Sequence, residues 1–341
     1  MSFRSRFLAV PALLALSMLS ACAGKSQEVI KLTYANFPAA STFPCVQMER
    51  WAQEVEKRTG GRVKVQTFPG GTLLGAANMF DGVVSGAADV GCFSPSYQPG
   101  RFPLSEAVDL PLGFANAKVA SLVYWDMVQK FNPKEYEKVK VLTVFTCAPA
   151  NLMTRNPIRS LADMKGIELR VAGTGADVVK ALGGTPVAMP QSETPDAIQK
   201  GVVKGMVSSM EVLKDMDFSN SCRYATMINT HVVSFGVVMN MAKWKKLPAD
   251  VQKVLNDLGR EQALWTGSYA DDHVTESLAW SKEKYNHEII RLSESDTARV
   301  RDLMSPLVDA YVKKISAMGL PASDYIKEIR SFEAQHVKQH P

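Results

Sequence analysis

Met164-Lys165-Gly166-Ile167-Glu168-Leu169-Arg170-Val171-Ala172-Gly173 reads as an apolar strand that runs into a glycine-punctuated turn and the start of a helix, with an arginine inside it. The guanidinium carries five donors in a rigid fork. Free backbone N–H groups at the following helix N-terminus lie beside it, and together they make a seat for a carboxylate. The stretch therefore points to a binder of organic acids.

The same strand–turn–helix rhythm extends in both directions. Ile30-Lys31-Leu32-Thr33-Tyr34-Ala35 alternates as a strand, and Met48, Trp51, Ala52 and Val55 fall at i, i+3, i+4 and i+7 of a helix that Gly60-Gly61 ends. Val63–Phe68 is a second strand and Pro69-Gly70-Gly71 a turn. Met79, Phe80, Val83 and Val84 stripe the next helix before Gly86. Such βαβα order predicts an α/β lobe with parallel strands. It resumes after a change of lobe near Cys147 to Asn151, with strands at Ile167–Val171, Thr185–Met189 and Met206–Ser209. Val232–Asn240 is expected to bridge both lobes as a hinge strand. From Pro248 to about Asn286 the helical composition holds without an internal proline, which predicts a strut that spans domains. Two further helices follow, separated by Gly319-Leu320-Pro321. Two lobes are thus expected. Residues 28–150 with about 240–265 form lobe I, and residues 151–239 with part of 266–341 form lobe II.

The chain opens with Arg4 and Arg6, an apolar run from Phe7 to Leu19, and then Leu19-Ser20-Ala21-Cys22, a secretory leader in charge, length and small-residue cut site. The last four residues resemble a lipobox, while Ala21-Cys22-Ala23 also fits an ordinary cut. The lipobox is favoured, with residues 1–22 as leader and lipobox and Cys22 as the acylated anchor. Export then places the protein in the periplasm, attached to a membrane only through its lipid. The formal charge of +5 falls to about +3 once Arg4 and Arg6 leave, and the basic residues are interleaved with acids, so nucleic acid is not an expected partner. Four cysteines remain. Cys45 with Cys92 is the favoured disulfide, against four buried free thiols as the alternative.

Several segments resemble the substrate-binding proteins of tripartite ATP-independent periplasmic (TRAP) transporters, the DctP family. They are Phe68-Pro69-Gly70-Gly71-Thr72-Leu73-Leu74-Gly75, Gly86-Ala87-Ala88-Asp89-Val90, and Asp109-Leu110-Pro111-Leu112-Gly113-Phe114. More specific is the order Ser160-Leu161-Ala162-Asp163-Met164-Lys165-Gly166 to Arg170-Val171, then Gln199-Lys200-Gly201-Val202-Val203-Lys204-Gly205, then Trp244-Lys245-Lys246-Leu247-Pro248. The resemblance implies a two-lobe periplasmic-binding-protein-like α/β fold. It also implies a receptor that delivers a small organic acid to a two-part membrane permease, and Arg170 matches the position of the family's carboxylate-binding arginine. Many sialic-acid-type members carry Glu-Asn-Pro where this chain has Val207-Ser208-Ser209. That departure favours a hydrophobic or aromatic monocarboxylate or a 2-oxo acid, with C4-dicarboxylates next.

Candidate ligand residues are weighed individually. Arg170 is read as the carboxylate seat, against a structural pairing with Glu168, Glu193 or Asp196. Ser208 and Ser209 end a strand facing the same crevice, where hydroxyls donate to a carboxylate or keto oxygen; closing the turn before Glu211 is the other reading. Phe37, and Phe93 with Ser94 and Ser96, lie at strand ends where open α/β sheets bind ligands. Asn151 at the lobe crossover and Phe235 in the hinge strand complete the set. Gly173-Thr174-Gly175 mimics the start of a dinucleotide fingerprint, but Val178 stands where the third glycine belongs, so no cofactor is expected. No metal is expected either, because the histidines are scattered and Asp271-Asp272-His273 reads as a solvated helix face. A hydrolase or lyase on the same scaffold lacks a nucleophile–base pair. A sensor or partner-binding lipoprotein of this fold remains the other alternative.

Overall fold

Residues 29–340 are described by a computed structural model; the leader and Cys22 lie outside them. Strand β1 (Ile30–Asn36) leads through helix Phe43–Arg58 into β2 (Val63–Phe68), and helix Met79–Ser85 leads into β3 (Val90–Phe93). Both β2 and β3 pair with β1 in parallel, each reached through a helix. Helix Phe43–Arg58 has Pro44 in its first turn, where no N–H is needed. Its Met48, Trp51, Ala52 and Val55 are buried against the sheet. After helix Ala117–Phe131, β4 (Val139–Thr146) completes this part of the first lobe.

The chain then crosses into the second lobe. There β5 (Asn151–Thr154), β6 (Glu168–Val171), β7 (Thr185–Ala188), β8 (Gly205–Ser208) and β9 (Tyr224–Met227) form a sheet in which β6 lies between β7 and β8, parallel to both. Strand β10 (Ser234–Asn240) does not bridge the lobes as expected. It lies in the first sheet, between β3 and β4 and antiparallel to both, so residues 234–239 leave the second lobe to which the sequence assigned them. An apolar run announces a buried strand but not its partners. Strand β11 (Glu288–Arg291) closes the second sheet beside β9.

Between the sheets, the outgoing and returning segments run side by side. Thr230 N–H donates to Ala150 O at 2.9 Å, Ala150 N–H to His231 O at 2.7 Å, and Cys147 N–H to Val233 O at 3.0 Å. This two-stranded ribbon joins the two sheets. A third connection is the helix Ala249–Tyr285, 37 residues long and so about 56 Å end to end at 1.5 Å per residue. It packs on helices Phe43–Arg58 and Ala117–Phe131 in the first lobe and on helices Val212–Asp215 and Phe218–Ser221 in the second. Gly267 permits the close approach, because a Cβ there would run into Lys118 Cα and Ala117 O. Asp271 of the same helix caps Ala117–Phe131, accepting from the N–H groups of Ala117 (2.7 Å) and Lys118 (2.9 Å). Asn286, at φ 52°, ends the long helix. Helix Glu294–Ser316 packs on Gly175–Ala181 of the second lobe. Helix Ala322–Gln339 returns to the first, where Tyr325 and Ile329 join the core.

The expected disulfide is not formed. Cys45, Cys92, Cys147 and Cys222 are buried free thiols. Cys45 and Cys92 share an apolar cluster, but the Cys45 thiol turns to the Pro38 carbonyl at 3.2 Å. Burial pushes the Cys45 thiol up to about 12, so it stays in the unreactive protonated form.

Candidate functional site

Side chains of β6 alternate: Leu169 and Val171 enter the core of the second lobe, so Arg170 points to the opposite face of the sheet, toward the first lobe. Arg170 is only 2% exposed. Nε and Nη2 donate to the Met189 carbonyl at 3.1 and 2.8 Å, Nη1 to Gln191 Oε1, and Nη2 to the Tyr97 hydroxyl at 3.2 Å. Tyr97 belongs to the first lobe, so this last bond spans the cleft. All four acceptor contacts are neutral. Among the described residues no carboxylate lies within ion-pair distance of Arg170, and the alternatives Glu168, Glu193 and Asp196 do not engage it; Asp196 faces Lys200 instead. A cation removed from water without a counter-charge is costly, and an arriving anion recovers that cost.

Arg170 opens into a cavity of ≈ 100 Å³ between the lobes. The first lobe contributes an aromatic wall of Phe37, Phe43, Tyr97 and Phe235. Phe37 meets Tyr97 edge-on at 5.3 Å and stacks on Phe235 at 6.3 Å. The second lobe contributes Gln191, Val207, Ser208, Glu211, Val212 and Met216 beside the arginine. Glu211 is 3% exposed, and burial pushes its carboxyl up to about 7 against the opposing hydrogen bond from Ser209.

The structure thus brings Arg170, Ser208, Phe37 and Phe235 to one cavity and leaves five expected site residues out of it, among them Ser96, which contacts Asp109 and Thr174 instead. Phe93 is fully buried in the core of the first lobe against Phe80, Phe102 and Tyr136. Ser94 ties the end of β3 to β10 by donating to Ser234 O at 2.8 Å. Asn151 locks the crossover: its Oδ1 accepts from the N–H groups of Ile228 and Asn229, and its Nδ2 donates to Pro149 O. Ser209 turns from the cavity and donates to Glu211, the turn-closing role that was its alternative. Tyr97, Phe43, Gln191 and Glu211 were not expected. Glu211 carries the signal that singled out Arg170, a lone charge in an apolar stretch, here Met210-Glu211-Val212-Leu213.

The helix start after Gly173 also differs from expectation, since none of residues 173–176 lines the cavity. It meets the first lobe at a tight seam. A Cβ on Gly173 would overlap the Ser96 carbonyl oxygen, and one on Gly175 the His231 ring. Thr174 Oγ1 sits 3.2 Å from Ser96 Oγ and 3.4 Å from Asp109 Oδ2. Asp109 is 1% exposed, accepts from Ser96 Oγ at 2.5 Å and Ser234 N–H at 2.8 Å, and is pushed up to about 7 by burial. His231, buried beside this seam, is pushed down to about 4. On the far side Ser41 Oγ donates to Asp215 O at 2.9 Å, a second contact between lobes. The Asp271–His273 stretch is occupied structurally: Asp271 caps a helix and His273 Nε2 lies 2.6 Å from Asp215 Oδ1.

Comparison with known proteins decides the family. The profile described as "Bacterial extracellular solute-binding protein, family 7" (DctP) matches residues 35–314. The chain belongs to this family. It is a solute-binding receptor of the TRAP type. A TRAP periplasmic solute-binding protein from Desulfovibrio salexigens, crystallised open with the C-terminus of a symmetry mate in its ligand site, is 53% identical, with 90% of this chain and 96% of that one covered and a TM-score of 0.82. A TRAP solute-binding protein from an unidentified marine microbe, specific for aromatic acids and holding 3-hydroxybenzoate, is 26% identical over 90% of this receptor and 99% of its own chain, with a TM-score of 0.85. The C4-dicarboxylate-binding protein of Bacillus subtilis is 23% identical over 84% of the receptor and 83% of its own length. No helix among the described residues is long and apolar enough to cross a membrane.

Proposed function

We propose that the receptor captures a small organic acid, above all an aromatic or otherwise apolar monocarboxylate, by pairing its carboxylate with Arg170 and closing the lobes around the rest. The observation that carries this reading is a buried guanidinium with neutral partners only, opening into an aromatic-walled cavity. The ligand's carboxylate takes the Nη1 and Nη2 edge in place of Gln191 and Tyr97. Phe37, Phe43 and Phe235 then cover its apolar body. Closure is favoured by the contacts that only the closed form makes, since a ligand shifts a conformational equilibrium by its differential affinity alone. A relative that holds 3-hydroxybenzoate supports an aromatic guest, and the more distant C4-dicarboxylate binder keeps diacids as the competing class. The closed form delivers its ligand to the membrane subunits of a TRAP permease, and acylated Cys22 keeps the receptor at the membrane.

The test is a thermal-shift panel of organic acids followed by calorimetry on the hits. A ligand that binds only the folded form raises the melting point by mass action. Arg170→Ala and Arg170→Lys should each weaken binding by about 2–5 kcal/mol, as for one partner removed from a buried charge pair. Unchanged affinity in both variants would sink the assignment.

A further inference from the structure

Arg170 accounts for one end of the cavity, and a second charged-type side chain stands in its wall. Glu211 follows the turn after β8 and is almost fully buried. Two charged-type groups act on it from neighbouring elements: Asp215 opposes its ionisation, and His273 of the long helix, held towards its protonated form by Asp215, favours it. Ser209 Oγ donates to its Oε2, and the Ser277 hydroxyl of the long helix donates to its backbone carbonyl at 3.2 Å. Asp215, on the next turn, is engaged by His273 at 2.6 Å, and His273 also meets Glu276 at 3.1 Å. The Cys147 thiol shares the cavity wall. Among the described residues no Lys, Arg or His lies within ion-pair distance of Glu211, Arg170 included, although both line the same cavity. Both side chains line the cavity, and no ion pair joins them.

We propose that Glu211 reads the part of the ligand that Arg170 does not hold, taking a hydroxyl there and turning away a second carboxylate, so that the receptor selects hydroxylated aromatic monocarboxylates over diacids. This rests on the reading of Arg170 as the carboxylate seat. A hydroxyl donates and accepts, so it satisfies Glu211 in either protonation state. A second carboxylate only accepts, and an ionised Glu211 leaves both charges buried without a counter-ion. A bare ring edge leaves the buried carboxyl without a partner from the ligand, which is the mismatch that polar sites discriminate against most strongly. With its carboxyl held up near 7, Glu211 is ionised in a large fraction of molecules at neutral and mildly alkaline pH, where the exclusion of diacids operates.

Calorimetry at pH 8 with benzoate, 3-hydroxybenzoate and benzene-1,3-dicarboxylate tests this on the wild type, Glu211→Gln and Arg170→Ala. The wild type should prefer the hydroxy acid to benzoate by about 10- to 100-fold, the range for a hydrogen bond to a charged group, and bind the diacid more weakly than benzoate. Glu211→Gln keeps size and a polar end but no charge. It should narrow the gap between benzoate and the diacid at least about tenfold. Equal ligand ratios in Glu211→Gln and wild type, with Arg170→Ala deaf to all three, would overturn this proposal and leave the carboxylate seat standing. Arg170→Ala binding all three like the wild type, or a wild type that binds none, would overturn both.

Discussion

A single methyl group at Gly173 tests whether ligand capture needs the seam between the lobes. The glycine's Cα faces the Ser96 carbonyl so closely that a Cβ would lie far inside van der Waals contact of a backbone oxygen, with Pro99 at 3.2 Å behind it. The neighbour is main chain and cannot rotate away. Gly173→Ala therefore leaves two choices: strain the seam, at about 1–3 kcal/mol for overpacking, or hold the lobes apart. Opening forfeits the Thr174 contacts with Ser96 and Asp109, about 0.5–1.5 kcal/mol in all, together with the ligand's contacts to the first lobe. Strain at the seam raises the free energy of the closed state by about 1–3 kcal/mol, which is roughly 5- to 140-fold in affinity at 1.4 kcal/mol per decade. Gly173 does not line the cavity, so the variant changes no ligand contact. Calorimetry should show the weaker affinity, and small-angle scattering should show a ligand-induced decrease in radius of gyration that needs correspondingly more ligand. Wild-type affinity and wild-type compaction in Gly173→Ala would refute the argument that closure at this seam contributes to binding.

Asp109 gives a pH-dependent outcome. Its carboxyl is raised in the folded state from 3.8 to about 7, so between those values the native chain holds a proton that the unfolded chain has released, and stability falls as pH rises through this window. Glu211 acts in the same direction, while His231, lowered to about 4, loses stability as pH drops below 6.5. Asp109→Asn should remove a decline of about 2–3 kcal/mol between pH 5 and 7 and move the melting-point optimum to higher pH, read from thermal melts between pH 5 and 8.5; parallel wild-type and variant curves would contradict the assignment. Cys22→Ala should release the receptor from the membrane fraction to the soluble periplasmic fraction without changing its ligand affinity, and identical fractionation of the two proteins would remove the anchor from the proposal.

Much of the fold was legible because it rests on local constraints. An uninterrupted helical composition became Ala249–Tyr285, and the stripes at Met48–Val55 and Met79–Val84 became buried helix faces. The lobe of β10 was not legible, since its partners β3 and β4 are distant in sequence and strand periodicity carries no address. The site divides similarly. Arg170 stood out because a charge in an apolar strand is costly unless it has a task, and Glu211 could have been found in the same way. Phe37 and Phe93 both follow from strand ends, yet one lines the cavity and the other packs against Phe80 and Phe102. Only three-dimensional packing separates them. Tyr97 owes its position to the short 3-10 turn Pro95–Tyr97, which carries it over to Arg170.

The paired segments at residues 147–150 and 230–233 have a mechanical consequence. A two-stranded ribbon flexes readily across its flat face but resists shear and torsion, because sliding one strand past the other breaks the bonds of Ala150 with Thr230 and His231 and of Cys147 with Val233. Together with a continuous rod fastened to both halves, it confines the movement to one bending coordinate. Under the proposed closure each capture event would end in the same geometry, and a membrane partner that recognised that shape would tell a filled receptor from an empty one without ever touching the cargo.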